Sequence, residues 1–274
     1  ATEARNNILL IRDSEIENLI REYTTPLFQV AGLNSESVHI GIINDQSLNA
    51  FVANGQNIFI NTGLLTVSED PLEIIGVLAH EIGHIAGGHL ARTQNAIDNS
   101  STKALLGYIL GAAALVVGGP EAGSAVLKSG SGIAQKSIAR YSQGQEQAAD
   151  QAALQYLKAT KKSAHGLLKL FTRLEQQNLL LPERQNPYLQ SHPLTKNRRL
   201  FVKNFIETSN YSPKALTALE KQKHSRMVAK LYAFINSPSK TFTKYPETNK
   251  TLTARYARAI AYHKVPNLAK ALFE

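Results

Sequence analysis

The chain has no cysteine, no tryptophan and a single methionine among its 274 residues. Without cysteine there is no disulfide framework and no thiolate-bound metal, so histidine and carboxylate are the donors left for any metal site. Acidic residues are scarce in one part only. Residues 1–100 carry 4 Lys/Arg against 12 Asp/Glu, whereas residues 101–274 carry 26 against 9, so the net charge of +9 conceals an acidic first part and a basic remainder. Such a basic surface suits an anionic partner. No zinc-finger spacing or glycine–aromatic signature accompanies it, so the partner expected is not nucleic acid, and peripheral membrane contact stays open.

A long apolar run is also missing. Residues 104–119, "ALLGYILGAAALVVGG", give sixteen uncharged positions interrupted by four glycines, short of the about 20 that a spanning helix needs. They read as a buried helix or a flap beside a cleft, able to touch a membrane without crossing it. The chain opens at Ala1 with no charged-then-apolar leader, as a mature chain would after signal removal. Its length and 43% hydrophobic content support one substantial core with a smaller second unit.

What is present is concentrated in "VLAHEIGHIAGGH", residues 77–89. His80 and His84 stand four apart, about 40° from one another around a helix, so both imidazoles leave one face and can share a metal. Glu81 beside them is placed to act as general base on a water. The local signals favour a helix. "SEDPLEII" offers Asp70 as cap, Pro71 in the first helical position and Glu73 to complete a capping box. Ahead of it, "SVHIGII" (37–43) reads as a buried strand and "NAFVANGQNIFIN" (49–61) as a hairpin around Asn54-Gly55. Residues 7–22 place Ile8, Leu9, Ile11, Ile16, Leu19 and Ile20 on one helical stripe.

A third ligand has to come from elsewhere. His89 is one residue too early for the H-E-x-x-H-x-x-G-x-x-H pattern, in which the last position is here Leu90. On a continuous helix it would point about 180° from His80. The only methionine, Met227, lies far downstream, so no Met-turn supports that class either. His89 therefore reads as a structural or surface histidine. Glu146, in "SQGQEQAAD" on a second helical stretch over 121–160, is the better candidate, a carboxylate completing a His₂Glu set. Asp150 follows one turn later on the same face, where it could accept a hydrogen bond from the far nitrogen of a ligating histidine.

"HEIGH", "EQAAD" and "SHPLTKNR" occur in that order, with "NAFVANGQNIFINTGLL" before them and "ARAIAYHKVPNLAKA" after. In the last of these, Ala259, Tyr262 and Ala271 sit at tetratricopeptide offsets. Together these motifs resemble the zinc metallopeptidase family of the CAAX prenyl endopeptidases and HtpX, and are most similar to its periplasmic, repeat-bearing BepA-type members. The resemblance implies an α+β fold: a mainly helical zincin-like core with a small sheet over residues 1–210, then a helical tetratricopeptide-like segment over 211–274. It implies one Zn²⁺ held by His80, His84 and Glu146, with Glu81 as catalytic base and Asp150, His192 and Arg198 as further motif residues. It also implies a periplasmic endopeptidase acting on unfolded or misassembled polypeptides, with outer-membrane assembly proteins as partners of the C-terminal helices.

Three matters stay open at this point. His192 or Arg198 could donate to the tetrahedral oxyanion, or the His192 imidazole could take the open metal position and latch the enzyme. The strand Gln56, Asn57, Ile58, Phe59, Ile60 and Asn61 is expected on the sheet edge, where it could pair with an extended substrate. The alternative function is a helical-repeat, chaperone-like binding protein whose zinc site is latched or vestigial.

Overall fold

The computed structural model describes residues 9–53, 55–92, 132–180 and 187–274. The apolar run 104–119, together with Ile8 and Asn54, lies outside the described residues. The fold is α+β and mainly helical, with one mixed four-stranded sheet.

The first helix starts later than the stripe from residue 7 suggests. Leu10–Ile11 instead form a short strand, β1, antiparallel to Ile42–Ile43. Asp13 separates the two elements. Its carboxylate accepts the Ile16 N–H at 3.1 Å and caps α1, Ser14–Val30, whose first turn adds Glu15 and Glu17. The buried stripe Ile16, Leu19, Ile20, Tyr23, Leu27 and Phe28 then faces the core at helical spacing.

Strand β2 is His39–Ile43, and β3 (Ala50–Ala53) and β4 (Asn57–Asn61) form the expected hairpin, turning where Gly55 takes φ +89°. The sheet order is β1-β2-β4-β3, with β4 parallel to β2 and antiparallel to β3. The edge position expected for residues 56–61 is therefore wrong. β4 has ladder partners on both sides and offers a substrate no free edge. Both its faces are covered: Ile58 and Ile60 are buried in the core, while Phe59 lies over Gly41 and stacks on Phe51 with ring centroids 5.4 Å apart. A strand apolar on both faces belongs inside a sheet. The edge next to it is β3.

After α2 (Thr62–Val67), the helix α3 (Pro71–Ala86) carries the histidine motif. Asp70 caps it as expected, accepting the Leu72 N–H at 2.7 Å. Glu73 does not close a reciprocal box. It accepts from Glu69 N–H at 3.2 Å and faces Lys169 and Arg173 at 3.0 and 3.5 Å, cations that outweigh one backbone donor. Every residue of α3 from Glu73 to Gly83 is buried, between α4 (Gly132–Ala159) and α5 (His165–Leu180). At Gly83 a Cβ would sit 2.9 Å from the Ala149 carbonyl oxygen. Glycine there lets the α4 backbone approach at the level of the histidines.

Two further helices, α6 (Pro187–Ser191) and α7 (Lys196–Thr208), complete this part, α7 packing on α4 and α5. The chain ends in α8 (Ala218–Ile235), α9 (Pro238–Lys244), α10 (Leu252–Lys264) and α11 (Leu268–Phe273). Helix α8 is shared between two clusters. Its Met227, Val228 and Leu231 join the main core, while Ala229 and Ala233 pack with Tyr245, Ala254, Ala257 and Ile260. Among the described residues no helix is long and apolar enough to cross a membrane.

His224 ties α8 to the main core. Ser68 gives its hydroxyl proton to Leu65 O at 2.7 Å, so it accepts from His224 Nε2–H at 3.0 Å, and Tyr23 O–H donates to His224 Nδ1 at 3.3 Å. Burial pushes this imidazole down to about 4. Above the ordinary histidine pKa the ring is neutral in both folded and unfolded chains. As pH falls from about 6.5 towards 4, the unfolded chain takes up a proton that the folded one refuses, and stability should fall by up to about 3 kcal/mol. His224→Gln is expected to remove that part of the pH dependence of urea unfolding; an unaltered profile would mean the ring takes up its proton equally in the folded and unfolded chains.

Candidate metal centre and active site

Helix α3 presents His80 and His84 with their Nε2 atoms 3.0 Å apart. From α4, Glu146 brings Oε2 to 3.3 Å from His80 Nε2 and Oε1 to 3.2 Å from His84 Nε2. His192 follows α6 and donates its backbone N–H to Tyr188 O at 2.7 Å. Its Nδ1 lies 3.1 Å from Glu146 Oε1 and 3.4 Å from His80 Nε2. These four residues each offer one donor atom to a single group. The structure thus brings the three expected ligands together and adds His192 to them.

The donors fit a small divalent cation on two independent grounds. A tetrahedral zinc with bonds of about 2.0–2.1 Å holds its donor atoms about 3.3 Å from one another, and the separations above run from 3.0 to 3.4 Å. The charges also call for one. Glu81, Glu146 and Asp150 are all buried, and Arg198 is the guanidinium buried with them. Metal ligation requires neutral imidazoles, and with them the three ionised carboxylates and one guanidinium would leave two negative charges for a divalent cation to balance.

Glu81 is fully buried, and neither carboxylate oxygen has a hydrogen-bond partner among the described residues. The nearest imidazole, His192 Nε2, is 3.5 Å away. Burial raises this carboxyl above its ordinary range despite His192 and His80 nearby. Glu146 behaves oppositely: burial would raise it, but His192, His80 and His84 around it hold it well below. Two carboxylates within one cluster are thereby driven apart, one towards proton acceptance and one towards permanent charge.

The model for peptidase family M48 matches residues 11–205 of the sequence. The chain belongs to family M48. That places it among the metallopeptidases. It is similar to the β-barrel assembly-enhancing protease of Yersinia pestis, at 28% identity over 190 residues, covering 68% of this chain and 39% of that protein. It is also similar to the protein of that name in Escherichia coli K12, at 26% over 202 residues, 74% of this chain and 41% of the other. A putative one in Vibrio cholerae matches at 27% over 194 residues, 71% and 40%. The chain spans about two-fifths of the length of these curated relatives.

Around the donors of this family M48 chain, a second layer of side chains sets their orientation. Asp150 Oδ1 lies 2.9 Å from His80 Nδ1, near enough to hold its proton though not aligned for a straight hydrogen bond. In the neutral ring that a metal ligand must be, this contact would keep the proton on Nδ1 and turn the Nε2 lone pair to the donor group. Burial would lower His80, but Asp150 and Glu146 beside it raise it to about 9, whereas burial pushes His84 down to about 3. Arg198 holds Asp150 in a two-pronged contact, Nε to Oδ2 at 2.7 Å and Nη2 to Oδ1 at 2.9 Å. Its Nη1 donates to Pro193 O at 3.1 Å and lies 2.8 Å from Glu146 Oε2. With its donors engaged this way, Arg198 suits holding the carboxylates better than donating to a substrate oxygen.

One residue escaped the sequence reading, and for another, His89, the structural of its two readings holds and the surface one does not. Tyr188 packs on His192, with ring centroids 4.8 Å apart; a lone tyrosine in a polar loop gave no signal. His89 is not on the surface. Helix α3 stops at Ala86, Gly87 caps it, and Gly88 at φ +61° folds the chain back, so His89 is buried with Nδ1 3.0 Å from His84 Nδ1. The continuous-helix projection failed because Gly87-Gly88, a stop signal legible in the sequence, ends the helix first.

Arg198→Met should leave Asp150 and Glu146 without their guanidinium and destabilise the metal-free chain by about 3–5 kcal/mol. Urea unfolding in the presence of a chelator measures this. A loss below about 1 kcal/mol would mean the carboxylates find another cation.

Proposed function

We propose that this chain is a zinc-dependent endopeptidase, with zinc held by His80, His84 and Glu146 and Glu81 as general base. The reading rests on one observation: a buried carboxylate without a hydrogen-bond partner among the described residues, beside a group of histidine and glutamate donor atoms gathered closely enough to share one ion. When bound, zinc supplies Lewis acidity to a scissile carbonyl and to water. The rest is done by side chains of the chain. Glu81 accepts a proton from the attacking water and returns it to the leaving amine. Asp150 keeps His80 turned towards the donor group, and Arg198 keeps Asp150 and Glu146 in place. The imidazole of His192, once clear of the donor group, is the donor available to the substrate oxyanion.

Polypeptide substrates fit family M48 membership. That they are unfolded or misassembled proteins of the bacterial periplasm is supported by the relatives, which are named for enhancing β-barrel assembly. In the same proposal residues 1–210 form the peptidase domain. Residues 211–274 begin a tetratricopeptide-like segment that receives outer-membrane assembly proteins, and the basic surface allows peripheral membrane contact. A substrate strand would add to β3, the edge strand, rather than to β4.

A second reading has its own observation. Four protein donors close the group, and a closed set is the mark of a structural or resting site, since a catalytic one keeps a position open. Helix α6, which leads into His192, also lies against β3. One displacement would therefore clear both the fourth donor position and the strand edge. The resting chain is then latched, with weak activity.

Glu81→Gln should retain one zinc per chain and lose about 10²–10⁴-fold in turnover of an unfolded protein substrate; full activity would refute the mechanism. Glu146→Gln, which replaces an anionic donor by an amide, should weaken zinc retention against a chelator, and wild-type affinity would mean another third ligand. His192→Ala should raise turnover if the latch holds, with zinc retained; a fall would leave the oxyanion role standing instead.

A further inference from the structure

We propose that His89 is a positioning residue for the metal centre: its Nδ1 accepts the Nδ1 proton of His84 and fixes the tautomer whose Nε2 lone pair faces His80 and Glu146. The inference rests on reading the donor group as a zinc site. The two Nδ1 atoms are 3.0 Å apart, and such a contact needs one ring to donate and the other to accept. His84 Nε2 stands 3.0 Å from His80 Nε2 and 3.2 Å from Glu146 Oε1. A metal ligand must be unprotonated there, so the His84 proton sits on Nδ1 and His89 is its acceptor.

The arrangement matches the one on the other ligand. His80 has Asp150 behind it, and His84 has His89. The need differs between them, because the His80 ring is fully buried whereas the His84 side chain is 12% exposed. Packing alone restrains His84 less, and a hydrogen bond supplies what packing does not. A neutral acceptor also avoids adding a fourth buried carboxylate to Glu81, Glu146 and Asp150.

The turn is built to deliver this ring. Gly88 makes the reversal, and a Cβ on Gly87 would overlap the His89 imidazole. The Gln145 side chain donates to His89 O at 3.1 Å, tying the turn to α4 beside Glu146.

The test is zinc affinity of the full chain by chelator competition, compared across wild type, His89→Leu, His89→Gln and Gly87→Ala. His89→Leu should still bind one zinc at saturation, with affinity lowered about 10–100-fold. His89→Gln, whose amide oxygen can accept the same proton, should recover most of the loss. Gly87→Ala, which keeps His89 but displaces its ring, should weaken binding as His89→Leu does. Nitrogen-correlated NMR of the zinc-bound wild type should show His84 protonated at Nδ1, with that proton exchanging faster in His89→Leu. If His89→Leu lowers the melting temperature of the metal-free chain, the comparison of His89→Gln with wild type decides. Affinity of His89→Leu within twofold of wild type would overturn the proposal. So would a glutamine variant as weak as the leucine one, which would mark a packing role. If the wild type itself binds no zinc, the zinc reading fails and this proposal with it; tight wild-type binding with an indifferent His89 removes the proposal alone.

Discussion

One guanidinium held between two carboxylates is the contact on which the centre of this molecule depends. Arg198 reaches from the first turn of α7 to grip Asp150 with two nitrogens and Glu146 with a third. Asp150 passes the constraint to His80 on α3. Three helices are thus locked by charge at a place where water cannot share the load. A lysine could not substitute, because a point charge on a flexible stem cannot present two parallel donors to one carboxylate and a third to its neighbour.

The helix that holds the histidines is also the one most enclosed by the fold. Its residues from Glu73 to Gly83 are buried without a break, so packing and chemistry draw on the same turns. An apolar helix would be simpler to bury. The ionisable groups on α3 are tolerated because each finds a counterpart on a neighbouring helix: Glu73 with Lys169 and Arg173, His80 with Asp150. Glu81 differs: among the described residues its oxygens have no hydrogen-bond partner, and the imidazole facing it, His192 Nε2, stands 3.5 Å away.

Much of this was legible in the residues. The i, i+4 histidines, the Asp70-Pro71 start and the paired carboxylates of α4 depend on local geometry, and local geometry survives folding. The failures share a cause. Whether residues 56–61 lie inside or at the edge of the sheet depends on β2 arriving alongside, a partnership that no window of sequence contains. Glu73 left its expected box because α5 brought two cations to it. Ile11 left its helical stripe because β2 offered a ladder. His89 is the exception, since the two glycines announcing the helix stop stand directly before it. Arg198 was found by resemblance, but its hold on both carboxylates requires two helices to meet.

The separation along the chain of the groups that meet at the centre carries a further consequence, for the order in which the molecule matures. His80 and His192 lie 112 residues apart, and Asp150 and Arg198 lie 48 apart. Contacts of such range close late, after local helices and hairpins have formed. A partly folded chain has the histidine helix but neither the carboxylates nor the guanidinium that orient it. The centre is therefore complete only once segments far apart in the chain have docked, so it depends on the whole fold rather than on any one helix.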